Sequence, residues 1–385
     1  MIPAALTDEH RQIREAARQF SVREVLPHVR DWDRAEAMDR SIIGKLARAG
    51  FLGATIAERY GGSALDTVGY VQVIEELGRV DNSVRGVVSV SAGLVGKTLG
   101  RWGSEAQREQ WLPRLASGHT IGCFALTEPE SGSDPGSLRT SATLGRGGGW
   151  RIDGSKVFIT NGTWAGLALV FARTGPPGSG GLSCFLAPTD RPGWMARPIK
   201  GKLGLRAQGT AEVVLDGLEV GPDAMVGEPG DGFKIAMAAL DGGRISLAAS
   251  CTGTAQACLD AGARYASERR QFGRPIAQFQ LVQELIAEMA VDVAAARMLT
   301  WQAAKTADLQ GRCTVEASIA KYFASEAAVR AANAAVQVFG GYGFVDEYPV
   351  GKYLRDARVT TLYEGTSQIQ KLIIGRHVTG ESAFS

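Results

Sequence analysis

The sequence is poor in the residues that bind metals and form disulfides. Its 385 residues include only five cysteines and four histidines, all dispersed, and no C-x-x-C pair. An odd number of scattered cysteines is typical of reduced thiols, and structural zinc requires clustered cysteine and histidine ligands. We therefore expect a cytoplasmic protein with no bound metal.

Long runs of one charge and long apolar runs are lacking as well. The 42 basic and 40 acidic residues leave a net charge of +2, which argues against nucleic acid as the main partner. No apolar run approaches the roughly 20 residues that a membrane-spanning helix needs. The N-terminus passes directly into a polar amphipathic pattern, which predicts no signal peptide.

What the sequence does contain is three regions of different pattern. Residues 1–119 and 229–385 show helical periodicity, and the second of these regions is rich in alanine. Residues 120–228 carry short runs of β-branched and aromatic residues, such as LALVFA and AEVVLDGLEV, separated by glycine-rich loops. The pattern predicts an α+β protein, mostly α, in which two helical domains flank a small β domain.

One acidic residue near the C-terminus, in the stretch LYEGTSQIQ, is a candidate for catalysis. Glu364 is followed by Gly365 and then by Ser367 and Gln370, whose S-x-x-Q spacing predicts a capping box at a helix start. On the surface, such an acid would complement the helix dipole. In a buried position it would be a candidate general base. The residues alone leave both alternatives open.

Two stretches of the β region could hold a flat or anionic ligand. In FALTEPESGSD, a glycine between two serines could free backbone N–H groups to bind an anion, although an ordinary turn has the same pattern. In KVFITNG, Phe158 and Thr160 are expected on one face of a strand. The aromatic ring could cover a flat cofactor while the hydroxyl binds its edge. A half-buried pair of strand residues is the alternative.

Together these stretches resemble the acyl-CoA dehydrogenase family over essentially the whole chain. The resemblance is carried, in family order, by FALTEPESGSD, KVFITNG, GLRAQGTAEVVLDGLEV, ERRQFGRPIAQFQ, QVFGGYGF and YLRDARVTTLYEGTSQIQ. It implies an N-terminal helical domain (1–119), a central small β-barrel (120–228) and a C-terminal four-helix bundle (229–385). It also implies a homotetramer that binds FAD non-covalently and passes electrons to an electron-transfer flavoprotein.

The resemblance divides the implied flavin contacts into two groups. The first group would hold the ring and pyrophosphate: Phe124, Leu126, Thr127, Gly132, Ser133, Phe158, Thr160, Thr366 and Gln368. The second group would meet the ADP half from a neighbouring subunit: Arg269, Phe272, Gln280, Gln337, Val338, Gly340 and Gly341. Many family members have tryptophan where this chain has Phe158.

For the reaction, the resemblance makes Glu364 the base that removes the α-proton of an acyl thioester while a hydride leaves the β-carbon. Arg244 would lie beside this base and orient it. Further substrate contacts would come from Ser133, Tyr363 and Gly365. In some branches of the family the base directly precedes the arginine instead. Gly243 occupies that position here, so no second base is expected.

For the acyl group, the region around Arg85 is most similar to the glutaryl-CoA dehydrogenase branch, where the matching arginine binds the distal carboxylate of the substrate. That branch has a glutamate at the position of Gly78, and its loss argues against decarboxylation. A surface arginine paired with Asp81 or Glu75 is the alternative for Arg85. We expect a short, polar or carboxylated acyl-CoA as the substrate. The alternatives are a dehydrogenase or oxidase of carrier-protein thioesters, and an inactive member that serves as a thioester-binding scaffold.

Overall fold

The computed structural model describes residues 6–384 of the chain. In this range the region before the sheet is helical: α1 (Asp8–Phe20), α2 (Val29–Ala35), α3 (Ser41–Arg48), α4 (Thr67–Val80), α5 (Asn82–Val88), α6 (Lys97–Trp102) and α7 (Glu105–Ala116). A π-helical segment, Ser89–Gly96, joins α5 directly to α6. The expected helical N-terminal region is therefore confirmed.

The middle region forms one eight-stranded sheet. Its strands are β1 (Gly122–Ala125), β2 (Ser141–Leu144), β3 (Trp150–Ile159), β4 (Leu167–Arg173), β5 (Leu182–Pro188), β6 (Trp194–Pro198), β7 (Ala211–Val220) and β8 (Met225–Val226). The order is β6-β7-β3-β2-β4-β5-β8, with β1 beside β4. β1 and β2 run parallel to β4, and the other neighbouring strands are antiparallel.

Strand β4 is buried on both faces of this sheet, which explains its continuous apolar sequence. Leu169 and Phe171 pack in the same cluster as Leu112 of α7, whereas Val170 packs with Val213 of β7. Strands buried on both faces read as uninterrupted apolar runs rather than as an alternation. The sheet is thus fixed against the N-terminal helices on one side and closed by its own strands on the other.

The C-terminal region is a bundle of long helices. It contains α8 (Gly232–Glu268), a short hairpin of β9 (Arg270–Gln271) and β10 (Arg274–Pro275), α9 (Gln280–Gln310), α10 (Thr314–Phe339), α11 (Val350–Val359) and α12 (Ser367–Thr379). The long helices α8, α9 and α10 pack on one another largely through buried alanines. Small side chains let helix axes approach closely, and this explains the alanine-rich sequence.

Helices α4 and α8 approach so closely that glycine is required at their contact. A Cβ on Gly78 would lie 2.9 Å from the Cα of Ser250, and a Cβ on Gly253 would lie 2.1 Å from the carbonyl oxygen of Glu75. Separations this short are below any ordinary atomic contact. The contact fixes α8, which carries Arg244, relative to the α4–α5 segment, which carries Arg85.

Two structural findings concern membranes and metals. Across residues 6–384, no helix combines the length and the apolar character needed to cross a membrane. In the same part of the chain, no three histidine, cysteine or acidic side chains are placed to share a metal ion.

Candidate active site

A cavity of about 1110 Å³ lies between the loop after β1, the first turns of α8 and the turn before α12. Seven residues that the sequence assigned to flavin binding, substrate binding or catalysis line it: Leu126, Thr127, Gly132, Ser133, Arg244, Glu364 and Gly365. Residues from three distant parts of the sequence therefore meet in one place. We refer to this space as the thioester cavity.

The turn that carries Glu364 has an unusual backbone. Glu364 has a φ of 57° and Gly365 a φ of 86°, so two consecutive residues are left-handed. This conformation is unfavourable for a residue with a side chain. Side-chain donors hold the turn through its carbonyl groups. Gln370 Nε2 donates to the carbonyls of Glu364 (3.2 Å) and Gly365 (3.0 Å), and Lys321 Nζ donates to that of Gly365 (2.7 Å).

The predicted capping box of Ser367 and Gln370 is wrong. The N-cap of α12 is Thr366, whose hydroxyl accepts from the Ile369 N–H at 3.2 Å. Ser367 already lies within the helix, and its hydroxyl donates to Glu326 of α10 at 2.6 Å. The cap therefore starts one residue earlier than predicted, and Gln370 instead holds the turn of Glu364 and Gly365. We refer to this turn as the catalytic turn, after the role that the resemblance implies for Glu364.

Glu364 is a half-buried acid rather than a freely exposed surface acid. Its Oε2 atom is shielded from solvent and makes no hydrogen bond within residues 6–384. Burial raises the pKa of Glu364, while the positive charges of Arg244, Arg85 and Lys321 oppose the shift. An unpartnered carboxylate oxygen with a raised pKa is suited to accept a proton. Of the two alternatives that the sequence left open, the structure excludes the surface acid.

Arg244 contacts the backbone of Glu364 rather than its carboxylate. Its Nε lies 3.4 Å from the Glu364 carbonyl oxygen. Its Nη1 donates to Asp241 at 2.8 Å, and Asp241 in turn accepts from the hydroxyl of Thr314 at 2.6 Å. Arg244 thus makes a bundle ion pair and also holds the catalytic turn.

Gly243 lies directly against the carboxylate of Glu364. A Cβ at position 243 would be 2.4 Å from Oε2 and 2.9 Å from Cδ of Glu364. A side chain at position 243, where other branches of the family carry the base, would therefore enter the same space as the carboxylate of Glu364. The glycine is required because the glutamate occupies the room that a side chain would need.

The residues proposed to hold the flavin ring are joined by hydrogen bonds. The Val157 N–H donates to the Thr127 carbonyl at 2.9 Å, which connects the end of β3 to the loop after β1. Beneath this contact, Lys156 is fully buried and donates to Glu128 at 2.8 Å. Both residues occur in the two motifs quoted above, but the sequence interpretation assigned no role to either. Two features of the sequence could have indicated this pair: Lys156 lies within an apolar strand, and Glu128 directly precedes a proline.

The prediction that Phe158 and Thr160 both lie in a strand is wrong, because Thr160 follows the end of β3. Phe158 has a φ of 60°, the pairing of β3 with β7 shifts register here, and β3 ends at Ile159. The bulge turns the Phe158 ring outward, and the side chain is 67% exposed. An exposed aromatic ring beside the Thr127 loop offers a stacking surface, and nothing lies within 4 Å of a Cβ built on Gly132. These features fit a flavin ring.

Three other members of the first group, Phe124, Thr366 and Gln368, lie outside the described lining of the thioester cavity. Phe124 is half-buried and lies with its ring centroid 4.8 Å from that of Phe171. Gln368 is exposed on the first turn of α12, and the Thr366 hydroxyl oxygen serves the helix cap. The described lining of the thioester cavity includes none of these three residues. Their flavin contacts stay predictions.

A second cavity, of about 690 Å³, gathers part of the group assigned to the ADP half. Arg269, Val338, Gly340 and Gly341 line it, and the Arg269 guanidinium lies 5.4 Å from the centroid of the Tyr342 ring. Phe272 is 93% exposed on the β9–β10 turn. Gln280 and Gln337 are also exposed, and the described lining of the second cavity includes none of these three residues. The two cavities share no lining residue, so the members of the two groups that line a cavity lie in separate cavities of one chain.

Arg85 is a buried arginine next to the catalytic turn. It is 5% exposed, and its two terminal nitrogens donate to Ser89 (3.0 Å) and to the hydroxyl of Tyr363 (2.7 Å). Its Nε is buried and has no partner in the described part of the chain. The alternative of a surface arginine paired with Asp81 or Glu75 is therefore excluded.

The two acids named in that alternative have other partners. Asp81 accepts from Lys352 at 2.8 Å, and Glu75 accepts from Arg297 at 2.8 Å. Both acids are themselves buried. Neither is directed at Arg85, which leaves Tyr363 and Ser89 as its partners.

Comparison with known proteins shows the family of this chain. Three family models match: the acyl-CoA dehydrogenase N-terminal domain over residues 7–119, the middle domain over 123–218 and the C-terminal domain over 230–379. A protein from Bacillus subtilis named acyl-CoA dehydrogenase is 42% identical over 376 residues, which cover 97% of this chain and 99% of the relative.

Solved structures are similar over the same length. Butyryl-CoA dehydrogenase from Megasphaera elsdenii is 38% identical with a TM-score of 0.95, covering 97% of this chain and 99% of that one. A glutaryl-CoA dehydrogenase from Mycobacterium smegmatis in complex with FADH2 is 33% identical with a TM-score of 0.94, covering 99% and 97%. A prolyl acyl carrier protein oxidase is 31% identical with a TM-score of 0.94, covering 97% and 100%.

This chain belongs to the acyl-CoA dehydrogenase family and is an FAD-dependent oxidoreductase that acts on CH–CH bonds.

Proposed function

We propose that this protein converts a short, polar or carboxylated acyl thioester into the 2,3-enoyl thioester, with Glu364 as the base. The observation that carries the proposal is the buried, unpartnered Oε2 of Glu364 at the wall of the thioester cavity. Glu364 takes the α-proton, and the electron pair of that C–H bond becomes the new double bond as the β-hydride leaves. Bound FAD supplies the acceptor for this hydride.

The chain also offers a donor to the oxygen of the thioester. The backbone N–H of Glu364 makes no hydrogen bond to any residue from 6 to 384. It lies on the same left-handed turn as the base. A fixed N–H near the carbonyl oxygen would stabilise the negative charge that develops there as the α-proton leaves. In this proposal, the base and the oxyanion donor belong to one residue.

Arg85 supports a polar or anionic end of the acyl group. A buried guanidinium with an unpaired Nε has a large desolvation cost unless a further acceptor is supplied. A substrate carboxylate can accept from an arginine with two parallel bonds. Position 78 is a glycine, and the contact between α4 and α8 leaves no room for a side chain there. Because the acid of the glutaryl-CoA dehydrogenase branch is missing from this position, we expect no decarboxylation after dehydrogenation.

The substrate proposal is tested by a ratio of specificity constants. Arg85→Ala should lower kcat/KM for glutaryl-CoA or 4-hydroxybutyryl-CoA about ten- to hundredfold more than kcat/KM for butyryl-CoA, because a charge-assisted bond is worth roughly 1.5–3 kcal/mol. Tyr363→Phe is the matched control, since it removes a partner of Arg85 but keeps the guanidinium. Equal losses on the three thioesters, or butyryl-CoA as the best wild-type substrate, would contradict the proposal.

A second candidate is a thioester carried by an acyl carrier protein. The similarity to a prolyl acyl carrier protein oxidase favours it. Both CoA and carrier proteins present the acyl group on a phosphopantetheine arm, so the cavity alone does not separate them. Anaerobic bleaching of the flavin by matched CoA and carrier-protein thioesters discriminates between the two. We propose electron-transfer flavoprotein as the acceptor, and rapid reoxidation by oxygen would instead indicate an oxidase.

We also propose that each FAD is held by two subunits of a homotetramer. The separation of the thioester cavity from the cavity around Arg269 supports this arrangement, because one extended dinucleotide would need both types of site. One FAD per chain and an oligomer in solution are the expected results. Stable FAD binding by a monomer would contradict the proposal.

A further inference from the structure

Lys321 is a buried cation that the reaction described above does not use. It lies on α10 and is 0% exposed, and the buried neighbours on its face of the helix are the alanines at positions 317 and 324 and the serines at positions 318 and 325. Its Nζ donates to the carbonyl oxygen of Gly365 at 2.7 Å. Gly365 directly follows the catalytic base. A lysine is rarely fully buried without a carboxylate partner, so its presence here needs an explanation.

Its single backbone acceptor sits at the most constrained point of the catalytic turn. The left-handed conformation of Glu364 and Gly365 persists only if surrounding contacts hold it. Lys321 is the cationic contact on the α10 side, whereas Arg244 reaches the Glu364 carbonyl from α8 at 3.4 Å. One turn further along α10, Glu326 accepts from Ser367 at 2.6 Å. Helix α10 therefore contacts the turn through Lys321 and the first residue of α12 through Glu326.

We propose that Lys321 is a positioning residue for the base: its ammonium fixes the Gly365 carbonyl, and its charge keeps the neighbouring Glu364 carboxylate ionised before proton transfer. The inference rests on the proposed role of Glu364. It requires nothing of Lys321 but a fixed hydrogen bond and a nearby positive charge.

The electrostatic part of the proposal, that the charge of Lys321 keeps Glu364 ionised, agrees with the surroundings of Lys321 and Glu364. Burial lowers the pKa of Lys321 to about 8, and the negative charge of Glu364 is among the influences that oppose this shift. In return, Lys321 is among the cations that oppose the raised pKa of Glu364. The other titratable or charged groups around the pair are Arg244, Asp241 and Cys251 on α8, Arg85 on α5, Tyr70 on α4, Glu326 on α10 and Tyr363.

The test compares Lys321→Met with Lys321→Gln. Methionine removes both charge and donor, whereas glutamine removes the charge and keeps an N–H donor. Ser325→Ala is the control, because Ser325 is equally buried one turn along α10 and its hydroxyl donates only to the Tyr322 carbonyl of its own helix. For each variant, FAD content, the pH profile of flavin reduction by butyryl-CoA, and amide hydrogen exchange over residues 362–367 are measured.

Both lysine variants should move the acid limb of the pH profile to higher pH, because Glu364 becomes harder to ionise without the charge. We expect a shift of about one pH unit, which is a tenfold loss of rate on that limb. KM should change less than kcat. Amide exchange over residues 362–367 should accelerate in Lys321→Met and stay near wild type in Lys321→Gln and Ser325→Ala.

An unshifted acid limb and unchanged exchange in Lys321→Met would overturn the inference. If that variant does not retain FAD, Lys321→Gln carries the same test of the pH profile. Glu364→Gln is measured alongside. An inactive Glu364→Gln with an unaltered Lys321→Met refutes the inference alone, whereas an active Glu364→Gln refutes the proposed function itself.

Discussion

Replacing Gly243 by alanine should displace the catalytic carboxylate without unfolding the protein. The added Cβ would lie 2.4 Å from Oε2 of Glu364, whereas ordinary contacts to carbon are about 3.5 Å. The carboxylate must therefore move by about 1 Å, and a misplacement of that size can cost on the order of 10²-fold in rate. Alanine is the better helix former by about 1 kcal/mol, which offsets part of the strain.

The assay is the anaerobic rate of flavin reduction by the best thioester substrate, with FAD content and Tm measured on the same samples. Gly242→Ala is the matched control, because nothing lies within 4 Å of a Cβ built on that neighbouring glycine of the same helix. We expect Gly242→Ala to be as active as wild type and slightly more stable. Equal rates in the two variants would refute the placement of Glu364 against Gly243.

Two further predictions concern stability and cofactor retention. Lys156→Met should lower Tm and release FAD, because it leaves Glu128 buried without its cation (2.8 Å) and breaking such a pair costs roughly 3–5 kcal/mol; unchanged Tm and FAD content would contradict the prediction. Burial raises the pKa of Glu364 in the folded state above its ordinary value of 4.5. Between 4.5 and the raised pKa, the folded state binds more protons than the unfolded state, so the free energy of unfolding falls as pH rises. Glu364→Gln should therefore be more stable than wild type, by an amount that grows as pH rises above 4.5 and vanishes below it; a constant difference in the free energy of unfolding would contradict this.

The order of the structural regions could be predicted from local patterns. Helical periodicity and β-branched runs depend on residues close in sequence. The structure brings Thr127, Ser133, Arg244 and Glu364 from three separate motifs to one cavity. Their assembly needed the resemblance, because no local pattern brings residue 127 to residue 364.

What the sequence did not predict depends on contacts between distant residues. The cap at Thr366 wins over Ser367 because Glu326 of α10 accepts the Ser367 hydroxyl. The bulge at Phe158 arises from the register shift between β3 and β7. The roles of Lys156 and Lys321 required knowledge of which carbonyls and carboxylates surround them in the fold. Arg85 could be identified as important, but its bond to Tyr363 spans 278 positions of the chain.

The most direct test of the central claim is the rate of flavin reduction by substrate in Glu364→Gln. Glutamine keeps the size of the side chain and its capacity to form hydrogen bonds, but it does not accept the α-proton. The account predicts a protein that retains its FAD and reduces it about 10²–10⁴-fold more slowly, the usual effect of removing a general base. Reduction at a rate comparable to wild type would show that the proton goes elsewhere and would contradict the account.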